Sequence, residues 1–258
     1  KTLGIVGYGN IGMQLGVIAE GLGMKVIYFD VQSKLPLGNA QPKATLTSLL
    51  AEAHVVSLHV PQHASTELLI GEKEIAALRQ GAMVINASRG NVVDLDALAE
   101  ALKSGHVGGA AIDVFPVEPR SNNDEFVSPL RGLDQCLLTP HIGGSTEEAQ
   151  ENIGVEVAEK LSHYSDNGTT ISAVNFPEVA LPAYDGKHRL LHVHRNTPGI
   201  MSAINQVFSD NNVNVSGQYL QTLGEMGYVV IDIEADYSKV LIKSLTAIEG
   251  TLRVRVLF

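Results

Sequence analysis

A chain of 258 residues has room for one large domain or two modest ones, and 45% hydrophobic with 18% charged residues suits a folded globular protein. The net charge of −10 disfavours nucleic acid or an anionic membrane surface as a partner. No apolar run reaches bilayer length, no signal-peptide pattern opens the chain, and a single cysteine excludes an intrachain disulfide and fits a reducing cytoplasm. That cysteine, Cys136, lies in the apolar run Cys136-Leu137-Leu138 and reads as a buried structural thiol.

The chain opens at Lys1 and enters its first strand, Thr2–Val6, almost at once, so a preceding segment is expected. The strand runs into G-x-G-x-x-G at Gly7, Gly9 and Gly12. A helix is predicted over Ile11–Leu22, its apolar residues being Ile11, Leu15, Ile18, Ala19 and Leu22. Gly7 permits the tight turn, Gly9 lets the backbone approach a pyrophosphate, and Gly12 allows close helix–strand packing. Phosphates would rest on the unpaired N–H groups at the positive end of the helix. A second strand, Lys25–Phe29, ends at Asp30, placed to meet the hydroxyls of an adenosine ribose. Asp30 favours NAD over NADP, because a 2′-phosphate beside it would meet like charge; Lys34 nearby would soften that. The alternative reading is a tight turn in an α/β core with Asp30 as a helix cap.

Further strands are predicted at Val55–Val60, Met83–Ala87, Ala110–Val114 and Gln135–Leu138. Helical stretches near Leu46–Ala53, Glu72–Leu78 and Asp94–Ser104 separate them, with Asp94 at an N-cap and Gly81 and Gly105 at C-caps. Strands alternating with helices specify a doubly wound parallel sheet. Ser145-Thr146-Glu147-Glu148 reads as a capping box opening a long helix to about His163, with a core stripe of Ala149, Ile153, Val157 and Leu161, closed by Asp166-Asn167-Gly168. Phe176–Gly186 reads as a linker and a candidate hinge. From about Lys187 the predicted order is strand Leu190–His194, helix Pro198–Asn211, strands Val213–Leu220 and Tyr228–Ala235, helix Tyr237–Ile248 and strand Thr251–Phe258. That β-α-β-β-α-β order makes a small ferredoxin-like unit. The chain thus divides at 1–144, 145–186 and 187–258.

In open parallel sheets, ligands bind beyond the carboxyl ends of the strands. The polar residues there are Asp30, Ser88 and Arg89, Asp113 and Glu118, and His141. An arginine, a carboxylate and a histidine beside a nicotinamide suit hydride transfer between a 2-hydroxy acid and a 2-oxo acid. His141 would act as general base, Glu118 would hold the imidazole and favour its protonated form, and Arg89 would bind the substrate carboxylate through paired hydrogen bonds. The bland alternatives are a helix cap for His141, a solvated loop acid for Glu118 and an exposed loop cation for Arg89. His54, His59 and His63 are not spaced as one metal site. His192, His194 and Asn196 share one strand face opposite Leu191 and Val193. They suit a polar pocket for a small amino acid at a subunit interface, with a metal site or a plain surface face as alternatives.

The segments G-Y-G-N-I-G, L-P-L-G-N-A, N-A-S-R-G, A-A-I-D-V-F-P-V-E-P, L-L-T-P-H-I-G-G-S-T-E-E-A-Q-E-N-I-G and H-V-H-R-N-T-P-G together resemble the bacterial D-3-phosphoglycerate dehydrogenases. These are the ACT-domain branch of the NAD-dependent D-2-hydroxyacid dehydrogenase family. The resemblance implies a Rossmann-type domain followed by an ACT domain, NAD as cofactor, and oxidation of 3-phosphoglycerate as the first step of serine synthesis. It also implies a cytoplasmic homotetramer inhibited by L-serine. By the same resemblance Arg89, Glu118 and His141 are the catalytic residues. Gly7, Gly9, Asn10, Ile11, Gly12, Asp30, Ala87, Ser88, Arg89, Asp113, His141, Ile142, Gly143 and Gly144 are the cofactor contacts. His194 and Asn196, with Asn214 from a partner chain, are the serine contacts. No metal is implied. The family's long N-terminal segment, which forms most of its substrate domain, has no counterpart in this sequence, so the chain alone is expected to be inactive. Two other functions stay open: dehydrogenation of a different D-2-hydroxyacid, and a non-catalytic sensor of NAD and an amino acid.

Overall fold

The computed structural model describes residues 1–121, 123–182, 188–234 and 239–257. The chain forms two compact units, Lys1–Thr146 and Glu147–Phe258.

In the first unit, strands β1 (Thr2–Val6), β2 (Lys25–Phe29), β3 (Gln41–Pro42), β4 (Val55–Leu58), β5 (Ala82–Asn86), β6 (Val107–Ile112) and β7 (Cys136–Leu138) form one sheet in the order β3-β2-β1-β4-β5-β6-β7. Every pairing is parallel. Helices α1 (Asn10–Gly21), α2 (Leu46–Glu52), α3 (Glu72–Ala76) and α4 (Leu95–Lys103) connect them. The strand order reverses between β1 and β4, which is where such sheets bind ligands. The two-residue β3 carries no periodic signal and was not foreseen. Capping is local and legible: Thr45 and Ser48 cap α2 reciprocally, and Asp94 accepts from the Asp96 and Ala97 N–H groups to cap α4.

A packing expectation for the first helix is corrected. Helix α1 turns its small residues Gly12, Gly16 and Ala19 to the sheet and leaves Ile11, Ile18 and Leu22 exposed. Close approach of helix to strand selects size over hydrophobicity here. Leu3, Val55, Met83 and Gly109 lie in register on one face of the sheet, with Ala111 and Leu137 further along it. α1 packs on the β1–β2 half, but Met83 and Leu137 are 51% and 64% exposed. Among the described residues of this unit no layer covers that half, although parallel sheets are ordinarily buried on both faces.

The second unit opens with α5 (Glu147–Asn167), so that Thr146 rather than Ser145 holds the N-cap position. None of its residues is buried; Ile153, Val157 and Leu161 do not form the expected core stripe. Strands β8 (His188–Arg195), β9 (Val215–Leu223), β10 (Met226–Ile233) and β11 (Thr251–Leu257) make an antiparallel sheet in the order β11-β8-β10-β9. Helices α6 (Ile200–Asp210) and α7 (Lys239–Ala247) pack on one face through Ile204, Phe208, Leu241 and Leu245. The predicted β-α-β-β-α-β order is what forms; the predicted ends Lys187, Ala235, Tyr237 and Phe258 lie outside the described residues.

On the other face the stretch read as a linker is packed. Val179 is buried with Leu191, Tyr228 and Val230, and Thr170 exchanges hydrogen bonds with Val179. Residues 183–186 of that stretch lie outside the described residues. The sheet also grips the end of α5. Arg189 donates to the Asn167 carbonyl, Tyr228 to Gly168 and Arg255 to Ser165. Those are the carbonyls a helix leaves unpaired at its negative end. Arg189 is fully buried because Asp232 meets its guanidinium bidentately at 2.6 and 2.8 Å.

His192 is buried beside His194, their Nδ1 atoms 3.3 Å apart, and its Nε2 lies 3.0 Å from the Thr251 hydroxyl. Thr251 donates its own proton to the Leu245 carbonyl, which makes His192 Nε2 a donor and its Nδ1 an acceptor from His194. Burial, with His194 adding to it, pulls His192 from 6.5 to about 4. The unfolded chain therefore binds more protons between those values, and stability is complete above pH 6.5 and lost as pH falls toward 4. The loss expected for this unit is about 3 kcal/mol. Denaturation from pH 7.5 to 4.5, followed by amide exchange in β10, checks it; a flat profile would contradict the assignment.

Candidate active site

The carboxyl ends of the parallel strands carry the candidate residues. After β1 the chain turns through Gly7, whose φ is +90° and where a Cβ would stand 2.3 Å from the His59 carbonyl oxygen. At Gly12 a Cβ would meet the Gly7 carbonyl at 2.2 Å. Gly9 differs, because a Cβ there would touch nothing within 4 Å. Gly9 is also the N-cap of α1 and supplies no side-chain cap, so the first-turn N–H groups around Asn10 and Ile11 are uncapped by any side chain. Two glycines are thus demanded by packing and the third keeps space open in front of a helix N-terminus, a surface that fits a dinucleotide's phosphates.

Asp30 faces this turn. Its carboxylate accepts the Tyr8 N–H at 2.8 Å and the Gln32 N–H at 2.8 Å, and it caps no helix. Tyr8 itself is fully buried and stacks on Tyr28 at 3.8 Å, a support for the turn that the glycine pattern did not reveal.

The second cluster joins β6 and the chain after β7. Asp113 accepts from the Thr139 hydroxyl at 2.5 Å and from the Ile142 and Gly143 N–H groups at 3.0 and 2.9 Å. Burial pushes this carboxyl up, but those hydrogen bonds outweigh it and hold the group below the usual carboxylate range. The turn so fixed carries His141 at φ +53°, a left-handed conformation that side chains other than glycine and asparagine adopt at a cost of about 1–3 kcal/mol. Its Nδ1 lies 2.9 Å from Glu118 Oε2. Glu118 also accepts from the Phe115 N–H at 3.1 Å. Burial would raise the Glu118 carboxyl; the bonds from His141 and Phe115 prevail, and it is held low. With Nδ1 occupied, Nε2 has no partner among the described residues, and the ring borders a cavity of about 560 Å³ lined by Glu118, Arg120, Asp124, Phe126 and Arg131.

Arg89 follows β5. Its guanidinium donates to the Ser88 carbonyl at 2.6 Å and makes no other bond among the described residues. Ala87 is exposed, Ser88 buried, and Gly143 and Gly144 lie exposed beside His141. Glu118 and His141 are brought into contact. Arg89 is linked to them through the backbone, where Gly90 rests on Phe115.

Comparison with known proteins decides the family. Residues 1–143 match the model of the D-isomer specific 2-hydroxyacid dehydrogenase NAD binding domain. The chain belongs to the D-isomer specific 2-hydroxyacid dehydrogenases. Residues 190–253 match an AHAS small subunit-like ACT domain. The chain is 58% identical over its whole length to the D-3-phosphoglycerate dehydrogenase of Haemophilus influenzae and 57% identical to that of Escherichia coli K12, and it spans 63% of the length of each. Among solved structures, the D-lactate dehydrogenase of Aquifex aeolicus complexed with NAD and lactic acid is similar at a TM-score of 0.56 and 30% identity. That match covers 64% of this chain and 53% of the other. The glycine turn is therefore part of an NAD-binding domain.

His194 and Asn196 are not on an open face together. His194 is buried, whereas Asn196 lies beyond the end of β8, exposed, with its amide on the Gly224 carbonyl. Asn214 is at the opposite end of the β9–β10 hairpin, bonded to Glu234. Among the described residues no group of histidine, cysteine and carboxylates is arranged to hold a metal, and no described helix is long and apolar enough to cross a membrane. Cys136 is partly buried and its thiol is pushed up by burial, in keeping with a structural role.

The open space at Gly9 gives a direct check. Gly9→Ala is expected to leave stability within about 0.5 kcal/mol and to weaken NADH binding about tenfold. Fluorescence titration with NADH and a melting curve would read both; unchanged NADH affinity would remove the phosphates from this position.

Proposed function

We propose that the whole protein oxidises D-3-phosphoglycerate to 3-phosphohydroxypyruvate with NAD, the first step of L-serine biosynthesis. The observation that carries this reading is the His141–Glu118 contact of 2.9 Å at the strand ends of an NAD-binding domain. High identity to D-3-phosphoglycerate dehydrogenases over every residue supports the substrate, and the ACT-like module supports control by an amino acid. Bound NAD supplies the hydride acceptor. His141 Nε2 takes the proton of the substrate hydroxyl, and Glu118 steadies the imidazolium that results. The Arg89 guanidinium, nearly unpartnered, binds the substrate carboxylate. Asp30, Ala87, Ser88, Asp113 and the Ile142–Gly144 turn border the cofactor, with Gly7, Gly9, Asn10, Ile11 and Gly12. The single cysteine agrees with a cytoplasmic setting.

His141→Asn in the whole protein tests the chemistry. Asparagine tolerates the left-handed backbone, so NADH affinity is expected within about threefold of the parent while kcat falls by about 10²–10⁴. Parental turnover would discard His141 as the base.

L-Serine is proposed as the effector, bound by His194 and Asn196 of one chain and Asn214 of another in a homotetramer. β9 is an edge strand of nine residues, and Asn214 and Asn196 lie at opposite ends of it, about 30 Å apart by strand rise. Antiparallel pairing of two copies of β9 would bring Asn214 of a second copy beside Asn196. Calorimetry with L-serine is expected to give a heat that Asn214→Ala abolishes; no heat from the parent chain would sink the proposal.

A further inference from the structure

We propose that Asn86 and Gly90 are positioning residues for Arg89, holding its turn against the loop that carries Glu118. The proposal rests on the reading of Arg89 as the group that binds the substrate carboxylate.

Asn86 closes β5 and is fully buried. Its Oδ1 accepts from the Ser88 N–H at 3.0 Å and the Ser88 hydroxyl at 2.8 Å, and its Nδ2 donates to the Arg89 carbonyl at 3.0 Å. One side chain therefore braces the whole Ala87–Arg89 turn. The Asn86 carbonyl also accepts the Asp113 N–H at 2.9 Å, tying the turn to the strand end that fixes His141. The brace needs an acceptor and a donor on one short planar group. Aspartate lacks the donor and would bury a charge; leucine lacks both.

Gly90 sets the other coordinate. A Cβ there would stand 2.1 Å from both the carbonyl carbon and oxygen of Phe115, and 2.6 Å from Pro116 N. Backbone thus rests on backbone, and Phe115 is the residue whose N–H donates to Glu118. Any side chain at position 90 must part the Arg89 turn from the Glu118 loop. The guanidinium makes one bond, to Ser88, so its location follows from this backbone rather than from side-chain contacts.

The test is a double-mutant cycle in the whole protein with Asn86→Ser and Gly90→Ala. Each is expected to lower kcat/KM for the hydroxy acid about a hundredfold. NADH affinity should fall by much less than kcat/KM, because the glycine turn after β1 is untouched and only the Ala87–Arg89 border of the cofactor is loosened. Combined with Arg89→Ala, neither should cost anything more. Losses that multiply, or a parental kcat/KM in the single variants, overturn the proposal. If Arg89→Ala alone keeps parental kcat/KM, the functional reading of Arg89 fails instead. Positioning is then decided without turnover, by amide exchange in the 258-residue chain carrying Asn86→Ser. Exchange at Ser88–Gly90 should quicken about tenfold while β5 and β6 stay protected. Unchanged exchange there, or equal loss along both strands, overturns it.

Discussion

The site depends on one carboxylate. Asp113 sits where β6 ends and gathers three donors from the chain after β7. Without that convergence nothing in the local sequence would keep His141 in a left-handed conformation, which opposes the ordinary preference of its backbone. The interaction is stronger for being partly withdrawn from water, where charged acceptors gain most from oriented N–H and O–H groups. It also fixes direction: the turn presents Nδ1 to Glu118, and the ring borders the cavity.

A division of labour follows among the acids at this rim. Asp30 and Asp113 are both consumed in part by backbone N–H groups, one holding the glycine turn and the other the histidine turn. Glu118 alone among them spends its carboxylate on a side chain that can change charge. Hydrogen bonds, with the neighbouring His141 adding to them, hold the Asp113 and Glu118 carboxyls low.

Much of this was legible in the residues. β1 and β2 occupy the predicted spans, because central parallel strands are continuous apolar runs bounded by turn formers. The pairing of His141 with Glu118 was foreseen because both follow strands of a sheet whose carboxyl ends share one edge. What was not legible depended on distant partners. Thr139 and Asn86 carry no signal until Asp113 and Arg89 are placed beside them. Ile11, Ile18 and Leu22 look like a core stripe, yet Gly12 and Gly16 face the sheet, since periodicity cannot tell which face must pack closest. The stripe on α5 misled in the same way: it is amphipathic in sequence but unburied in its unit. The separation of Asn196 from Asn214 also needed the strand order.

Among the described residues, the antiparallel sheet holds helix α5 at its last turn, through Arg189, Tyr228 and Arg255. Such a rod behaves mechanically as a cantilever. Its 21 residues extend about 30 Å. Tilting the antiparallel sheet by about 5° would therefore sweep Glu147 through about 3 Å, an amplification set by geometry alone. Glu147, where that rod begins, follows His141 by six residues in sequence.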